Sequence, residues 1–149
     1  VLSGVSPTGK RVLVAGGGLV GVETADYQSG YGREVTVVEL RDEVAADLPL
    51  VPRKDILRRL NEQRVTFITG AAITEFHEGG LSFLRNGSEH TLEGFDSIVL
   101  ALGSRAFNPL EQEIRDSVRT VVVGDAVHAG KVAQALRSAM ETALSLDVV

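Results

Sequence analysis

The 149-residue sequence contains no cysteine and no tryptophan, and it has a single methionine. The lack of cysteine excludes disulfides, thiolate nucleophiles and cysteine-ligated zinc or iron–sulfur sites within this chain. No apolar run approaches the length needed to cross a bilayer. The formal charge of −5, with 5% aromatic residues and no basic cluster, argues against a nucleic-acid surface. We therefore expect neither nucleic acid nor membrane as a partner, and a cytoplasmic location fits these absences.

The length is that of one domain, and 44% hydrophobic residues are enough to bury a sizeable core. The composition therefore excludes a disordered chain. The first residue is Val1 rather than methionine. We accordingly expect this chain to be a piece of a longer protein.

A glycine-rich turn near the start of the chain carries the clearest signal. Val12–Ala15 reads as a buried parallel strand, and the segment that follows has glycine at positions 16, 18 and 21 before a helix begins. In a Gly-x-Gly-x-x-Gly turn, Gly16 permits the tight turn, Gly18 lets backbone approach phosphate, and Gly21 lets the helix lie close to the strand. The first N–H groups of the helix then face an anion, so the pattern predicts a dinucleotide pyrophosphate site.

A second strand supports this interpretation. Residues 34–39 are apolar except at their ends and in Thr36, and the strand finishes in Glu39, about 20 residues beyond the glycines. A carboxylate at that position can accept hydrogen bonds from both hydroxyls of an adenosine ribose. The alternative is a glycine-rich turn and a surface glutamate that bind no nucleotide.

The rest of the chain alternates between two patterns. A helix over 52–63 and a strand over 65–69 continue the β–α alternation, and the segments 72–77, 81–85 and 89–92 then read as an antiparallel meander with turns at Gly79-Gly80 and Asn86-Gly87. Residues 97–102 return to the buried parallel type. A further strand over 120–125 and a helix over 131–146 end the predicted order.

Several motifs occur in the order known from one family. The segments GGGLVGVETA, VTVVELRDEVAADLP, ALGSRAFN and VVVGDAVHAGKVAQAL resemble the NAD(P)-binding domain of the pyridine nucleotide–disulfide reductase superfamily. They look closest to the C-terminal part of NADH:flavin oxidoreductases of the old yellow enzyme type, such as 2,4-dienoyl-CoA reductase and trimethylamine dehydrogenase. The resemblance implies an α/β fold: a Rossmann-like parallel sheet with helices on both faces and an inserted antiparallel β-meander.

The resemblance also assigns cofactor-binding residues. The matched positions comprise the pyrophosphate loop, an acidic residue early in the helix, the end of the second strand and the segment after the strand over 97–102. These residues are Gly16, Gly17, Gly18, Leu19, Val20, Gly21, Glu23, Glu39, Leu40, Arg41, Ala101, Leu102 and Gly103. In the family the residue matched by Glu23 helps to place the nicotinamide ring, although a helix-start carboxylate favoured by the dipole explains it equally.

The expected nucleotide is NAD(H) rather than NADP(H). Glu39 would repel a 2′-phosphate, whereas Arg41 would hold one only if its side chain pointed into the site. A solvated Arg41 is the simpler interpretation.

The resemblance implies a role for the whole protein. In the family, NADH passes a hydride to a flavin, and an FMN-bearing barrel and an FAD-binding domain accompany the NAD(P)-binding unit. We expect FAD and FMN only in the full-length protein, and those missing domains as partners of this chain. No residue here is a convincing acid, base or nucleophile, so we predict no catalytic residue and no turnover by the isolated chain. The alternative is a noncatalytic scaffold that binds ADP or nothing.

Other polar groups carry weaker signals. Asp125 matches a family residue that binds FAD, but the glycine loop of that FAD site is missing. The three histidines, at positions 77, 90 and 128, lack ligand spacing and read as surface residues. Acidic residues at 39, 42, 43 and 47 suggest a solvated face rather than a cation site, so we predict no metal.

The last predicted strand, over 120–125, needs a neighbouring strand to pair with. We predict one Rossmann-like domain over 1–149, with an NAD(P)-binding unit over 10–106, a meander over about 71–93 and a strand–helix segment over 118–146. An exposed valine-rich strand over 120–125 invites pairing. We expect it to join the sheet as a fifth strand in the order 3-2-1-4-5, with Leu136, Ala139 and Met140 covering the sheet. A swapped dimer, rather than a monomer, is the alternative.

Overall fold

The computed structural model describes residues 8–146 of the chain. Of these, the residues up to Gly103 form one compact unit, and those from Ser104 onward form a second. Both ends of the predicted 1–149 domain, residues 1–7 and 147–149, lie outside the described residues. The predicted domain boundaries therefore stay a prediction.

The first unit combines parallel and antiparallel strands with two helices. Its elements in order are β1 (Arg11–Ala15), α1 (Leu19–Gly30), β2 (Glu34–Val38), α2 (Leu50–Glu62), β3 (Thr66–Ile68), β4 (Ala72–His77), β5 (Gly80–Arg85), β6 (Ser88–Leu92) and β7 (Ser97–Leu100). Strands β1, β2, β3 and β7 form a parallel sheet in the order β3-β2-β1-β7. Strands β4, β5 and β6 form a separate antiparallel sheet. The α/β class and the inserted meander are confirmed.

One face of the parallel sheet packs against helices. Val12 and Val14 of β1 and Val35 and Val37 of β2 point to the same face, because residues two apart in a strand share a face. They form a core with apolar residues of α1 and α2, namely Val22, Ala25, Ile56 and Leu60. Arg59 of α2 also donates hydrogen bonds to Asp26 of α1, and this contact raises the pKa of the guanidinium.

The opposite face packs against the antiparallel sheet. Leu13 and Ala15 of β1 and Val38 of β2 form a second core with Leu81 and Phe83 of β5. Within the first unit, the meander thus takes the place on this face where we expected helices. Because both faces of β1 are covered, its side chains from Val12 to Ala15 are fully buried, which explains its continuous apolar sequence.

The turns of the meander follow from residues that tolerate positive φ. Asn86 and Gly87 connect β5 to β6 with φ of 52° and 77°. Two successive residues of positive φ define the type I′ hairpin turn, which matches the twist of the paired strands. The predicted two-residue turn at Asn86-Gly87 is therefore confirmed, with Arg85 opposite Ser88.

The second unit is helical in the part that the structure describes. It contains α3 (Leu110–Ile114), a 3₁₀ turn (Gly124–Ala126) and α4 (Val132–Ser145). The strand predicted over 120–125 is wrong for the described residues: Val123 has extended backbone angles, φ −137° and ψ 162°, but residues 120–123 belong to neither sheet. An extended segment becomes a strand only when a neighbouring backbone accepts and donates its hydrogen bonds.

Helix α4 is amphipathic, but its apolar residues are exposed. Leu136 and Met140 are 66% and 60% exposed. That they cover the sheet stays a prediction. Asp125 accepts a hydrogen bond from the Gly130 N–H at 3.2 Å, and it thereby closes the turn before α4. None of the helices in residues 8–146 is long and apolar enough to span a membrane.

At the amino end of the sheet, Asp96 links β1 to the start of β7. Its Oδ2 atom accepts a hydrogen bond from the Arg11 N–H at 2.8 Å, and this bond lowers the pKa of Asp96 below its ordinary value of 3.8. A carboxyl whose pKa is lowered by folding stabilises the fold above the ordinary pKa. The stabilisation is lost as the pH falls through the lowered value.

We therefore predict that Asp96→Asn lowers the melting temperature at neutral pH by no more than a few degrees, since the side chain is exposed. The difference from the unsubstituted chain should shrink as the pH falls below 3.8. Melting curves measured between pH 2 and pH 7 test this, with Glu93→Gln, another exposed carboxyl, as the control. A difference that grows toward low pH would contradict the assignment.

Candidate functional site

The candidate site lies where the carboxyl ends of β1, β2 and β7 meet. The chain leaves β1 for β2 on one side, whereas β7 lies on the other, so β1 marks the point where the strand order reverses. In open α/β sheets, ligands bind in the crevice at such a switch point. The glycine loop, Gly16–Gly21, begins there and leads into α1.

Two glycines of this loop are required by the protein itself. Gly16 has φ +104°, and a Cβ atom on it would overlap the carbonyl group of Ala101. A Cβ atom on Gly21 would overlap the carbonyl oxygen of Gly16. The loop therefore closes only if backbone can touch backbone at both positions.

Gly18 differs from these two residues. Its backbone angles, φ −71° and ψ −171°, are open to any residue type. Among the described residues, the atoms within 4 Å of a Cβ placed on Gly18 are the two carboxylate oxygens of Asp47, both at 3.8 Å. The fold does not require a glycine here, and the exposed Asp47 carboxylate borders the space beside Gly18.

The N-terminus of α1 faces the same space. Gly18 is the N-cap residue and has no side chain to accept a hydrogen bond from the first turn, which also contains no acidic residue. The first helical bond runs from the Val22 N–H to the Gly18 carbonyl at 3.0 Å, so earlier N–H groups lack helical acceptors. The N–H of Leu19 instead donates to Asp47 Oδ2 at 3.2 Å.

Glu39 also contacts the loop. Its Oε2 atom accepts a hydrogen bond from the Gly17 N–H at 2.5 Å, and Oε1 accepts one from the Arg41 N–H at 2.9 Å. The structure therefore brings this predicted ribose-binding carboxylate onto the glycine loop. A carboxylate has about four acceptor positions, so two remain for a ligand.

Three of the remaining predicted residues have exposed apolar side chains. Val20, Leu40 and Leu102 are 59%, 67% and 60% exposed, which is high for residues of this size. Ala101 donates its N–H to the Ala15 carbonyl at 2.7 Å and is half-buried, and Gly103 has φ +87°.

Glu23 and Arg41, two charged residues predicted to bind the cofactor, have exposed side chains. Glu23 is the fifth residue of α1, beyond the first turn, so the helix-start explanation does not fit its position. The Arg41 side chain is exposed, whereas its backbone carbonyl accepts a hydrogen bond from Gly70. The roles of both side chains stay predictions.

Sequence reasoning missed the loop after β2. Val44 is buried, and a Cβ atom on Gly17 would lie 2.7 Å from its Cγ1 atom. Ala45 donates its N–H to the Gly17 carbonyl at 2.7 Å. The signal was present, because Val44 and Ala45 are an apolar pair inside an acidic segment, and such a pair indicates burial.

The histidines and carboxylates elsewhere form no metal site in residues 8–146. His90 is exposed and stacks on Phe83, with ring centroids 5.3 Å apart. His77 is half-buried and its Nε2 atom has no hydrogen-bond partner among the described residues, so it is less exposed than we expected.

Comparison with known proteins gives a consistent result. The family described as pyridine nucleotide-disulphide oxidoreductase matches residues 2–120. An NADH oxidase of Thermoanaerobacter brockii is 32% identical over 136 residues, which cover 90% of this chain and 21% of that protein. The chain thus spans about a fifth of the length of this relative.

Solved structures share the fold at lower identity. The 6-hydroxypseudooxynicotine amine oxidase of Pseudomonas geniculata N1 matches with a TM-score of 0.82 and 22% identity, over 99% of this chain and 24% of that one. A 2-naphthoyl-CoA reductase matches with a TM-score of 0.79 and 24% identity, over 97% and 22% of the two chains. At these identities the likeness shows that the chain shares the fold of the two structures.

The glycine loop yields a stability prediction. Gly21→Ala should destabilise the fold by about 3 kcal/mol, because the added methyl group overlaps a backbone carbonyl that cannot move away freely. Gly18→Ala, the matched control, should change stability by less than about 1 kcal/mol. Urea unfolding of both variants measures the difference, and equal losses would show that the close approach at Gly21 is not constraining.

Proposed function

Because the chain belongs to the pyridine nucleotide-disulphide oxidoreductase family, we propose that it binds NADH within a flavin-dependent oxidoreductase. The observation that carries this proposal is the N-terminus of α1 at Gly18, where the backbone angles are ordinary and a Cβ atom would meet the exposed Asp47 carboxylate at 3.8 Å. The pyrophosphate of a dinucleotide suits this helix terminus in charge.

The residues present fit the phosphate end of the nucleotide. Helix N-termini attract anions because their N–H groups point outward and the helix dipole is positive there. The N–H of Leu19 points at a carboxylate oxygen in the structure, which indicates that this end of α1 accepts an anionic group. Because Gly17 and Gly18 have no side chains, they do not block a phosphate from the N–H groups at this end of α1.

Glu39 fits the ribose end. Its carboxylate is fixed by the Gly17 and Arg41 N–H groups and keeps acceptor positions for the 2′- and 3′-hydroxyls. A 2′-phosphate would meet a like charge there. We accordingly propose NADH in preference to NADPH.

When bound, NADH supplies a hydride, and a flavin receives it. The described residues bind and orient the nucleotide, and we assign none of them as an acid, a base or a nucleophile. Their contribution is geometric, since a reactive carbon held in the correct place converts an encounter into an intramolecular step. The exposed apolar side chains of Val20, Leu40 and Leu102 offer contact for the nucleotide's rings.

The relatives support a role inside a larger protein. The NADH oxidase that this chain resembles is about five times longer than the matched region. We propose that the flavins, FAD and FMN, and the final substrate are bound by parts of the protein outside this chain. The isolated chain would then bind NADH without turning it over.

A second candidate is a noncatalytic module that binds ADP or serves as a scaffold. The observation that favours it is that the loop is satisfied by the protein's own groups, because Glu39 and Asp47 accept the N–H groups of Gly17 and Leu19. Calorimetric titration with NADH, NADPH and ADP separates the candidates. An affinity for ADP equal to that for NADH would favour the scaffold.

Gly18→Val should abolish binding of NADH and ADP, because its side chain would fill the space that the pyrophosphate needs. Gly30→Val is the matched control, since Gly30 ends the same helix and a Cβ atom there meets nothing within 4 Å. Calorimetry measures the affinity, and thermal melting verifies that both variants fold. Unchanged affinity in a folded Gly18→Val protein would mean that the glycine loop is not the site.

Glu39→Gln should reduce the preference for NADH over NADPH by about tenfold or more. The substitution keeps an acceptor for the Gly17 N–H but removes a charge-assisted ribose contact, worth on the order of 1.5–3 kcal/mol. Glu34→Gln, at the opposite end of β2, is the control. An NADPH preference in the unsubstituted chain would overturn the role of Glu39.

A further inference from the structure

The segment Asp42–Leu48, which we call the acidic loop, lies against the glycine loop. Its Ala45 N–H donates to the Gly17 carbonyl at 2.7 Å, and its Val44 side chain is buried beside Gly17. These contacts fix the acidic loop at the position where α1 begins. A charged side chain on it therefore acts at a defined place rather than in bulk solvent.

Helix α2 holds the acidic loop from its other side. Arg53 donates from Nε and Nη2 to the Val44 carbonyl at 3.2 and 3.0 Å, and from Nη2 to Glu43 at 2.7 Å. Ala45 adopts φ +55°, a left-handed conformation that non-glycine residues adopt mainly where surrounding contacts impose it. The conformation of the acidic loop is thus set by specific contacts.

Asp47 is the member of this loop that faces the N-terminus of α1. Its Oδ2 atom lies 3.2 Å from the Leu19 nitrogen, and both carboxylate oxygens lie 3.8 Å from a Cβ placed on Gly18. The carboxylate is an anion at the helix terminus that we assign to the pyrophosphate. Two anions cannot use the same N–H group, and their mutual repulsion opposes joint occupancy.

We propose that Asp47 is an affinity-determining residue that competes with the phosphates of the nucleotide for the N-terminus of α1. This inference rests on the proposed function. Val44 and Ala45 keep the acidic loop in place, while the exposed Asp47 side chain turns away when a phosphate approaches. The competition weakens ligands that carry phosphate and leaves a nucleoside without phosphate unaffected.

Asp47→Asn tests the competition, because it removes the charge and retains the size and the acceptor oxygen. We expect it to bind ADP and NADH about three- to tenfold more tightly than the unsubstituted chain, since a like charge near the phosphates is removed. Adenosine affinity should stay within about twofold. Isothermal titration calorimetry at one fixed, low salt concentration gives all three constants.

Asp42→Asn is the matched control. It makes the same charge change in the same loop, but the Asp42 carboxylate lies beside Gly70, with Oδ1 3.3 Å from a Cβ placed there. We expect its affinity for ADP to stay within about twofold of the unsubstituted value. Equal tightening in both variants would show a general charge effect and overturn the specific role of Asp47.

A stability measurement separates competition from simple capping. Asp47→Ala removes the acceptor of the Leu19 N–H, so this variant should melt at a lower temperature than the unsubstituted chain while binding ADP more tightly. Unchanged or weaker ADP binding in both Asp47 variants, with binding intact in the unsubstituted chain, would overturn this inference alone. An unsubstituted chain that binds neither ADP nor NADH would overturn the proposed function and the inference with it.

Discussion

The candidate site depends on one close approach between backbones, in which Gly21 lies against the carbonyl group of Gly16. Because neither residue carries a side chain, the first turn of α1 packs directly over the turn that ends β1. The carbonyl of Ala101 bounds the same turn, so the segment after β7 also meets the loop. The helix N-terminus, the end of β2 and the end of β7 therefore share one edge of the sheet. A methyl group added at Gly16 or Gly21 would overlap backbone and move the helix N-terminus away from the strand ends.

Two carboxylates lie on the glycine loop, and their supports differ. Glu39 follows β2, whose register against β1 is fixed by five residue pairs, so its side chain is held by the sheet. Asp47 comes from a loop and is exposed. A hydroxyl can share the Glu39 carboxylate because it donates a hydrogen bond, whereas a phosphate can only compete with Asp47. In the proposed complex, the same charge would thus favour one end of a dinucleotide and oppose the other.

The sequence predicts those parts of the fold that local patterns determine. The apolar run of β1, the glycine spacing and the Asn86-Gly87 turn correspond to observed elements, and the first four strands of the predicted sheet lie in the predicted order. The family resemblance is confirmed. The prediction of a strand over 120–125 was wrong because an apolar pattern indicates that a segment is suited to pair in a sheet. The pattern does not identify the strand with which the segment pairs. In the acidic loop, Val44 and Ala45 indicated burial, but the position of the loop depends on hydrogen bonds to Gly17 and from Arg53, which no periodicity encodes. The contact between Asp47 and Leu19 follows from that position, so it too was beyond sequence reasoning.

The N–H groups of Gly17 and Leu19 already donate hydrogen bonds to carboxylates of the protein. This limits the affinity that a nucleotide can gain by accepting from the same N–H groups. A phosphate oxygen that takes over such an N–H exchanges one charge-assisted bond for another, so the net gain is smaller than the roughly 0.5–1.5 kcal/mol of a typical new hydrogen bond. Contacts with the exposed apolar side chains break no hydrogen bond of the protein. Most of the favourable free energy must therefore come from the shape and the apolar surface of the nucleotide rather than from its charge. A site of this kind would distinguish nucleotides chiefly by their rings and ribose, which suits the proposed role of placing the reactive ring of a hydride donor.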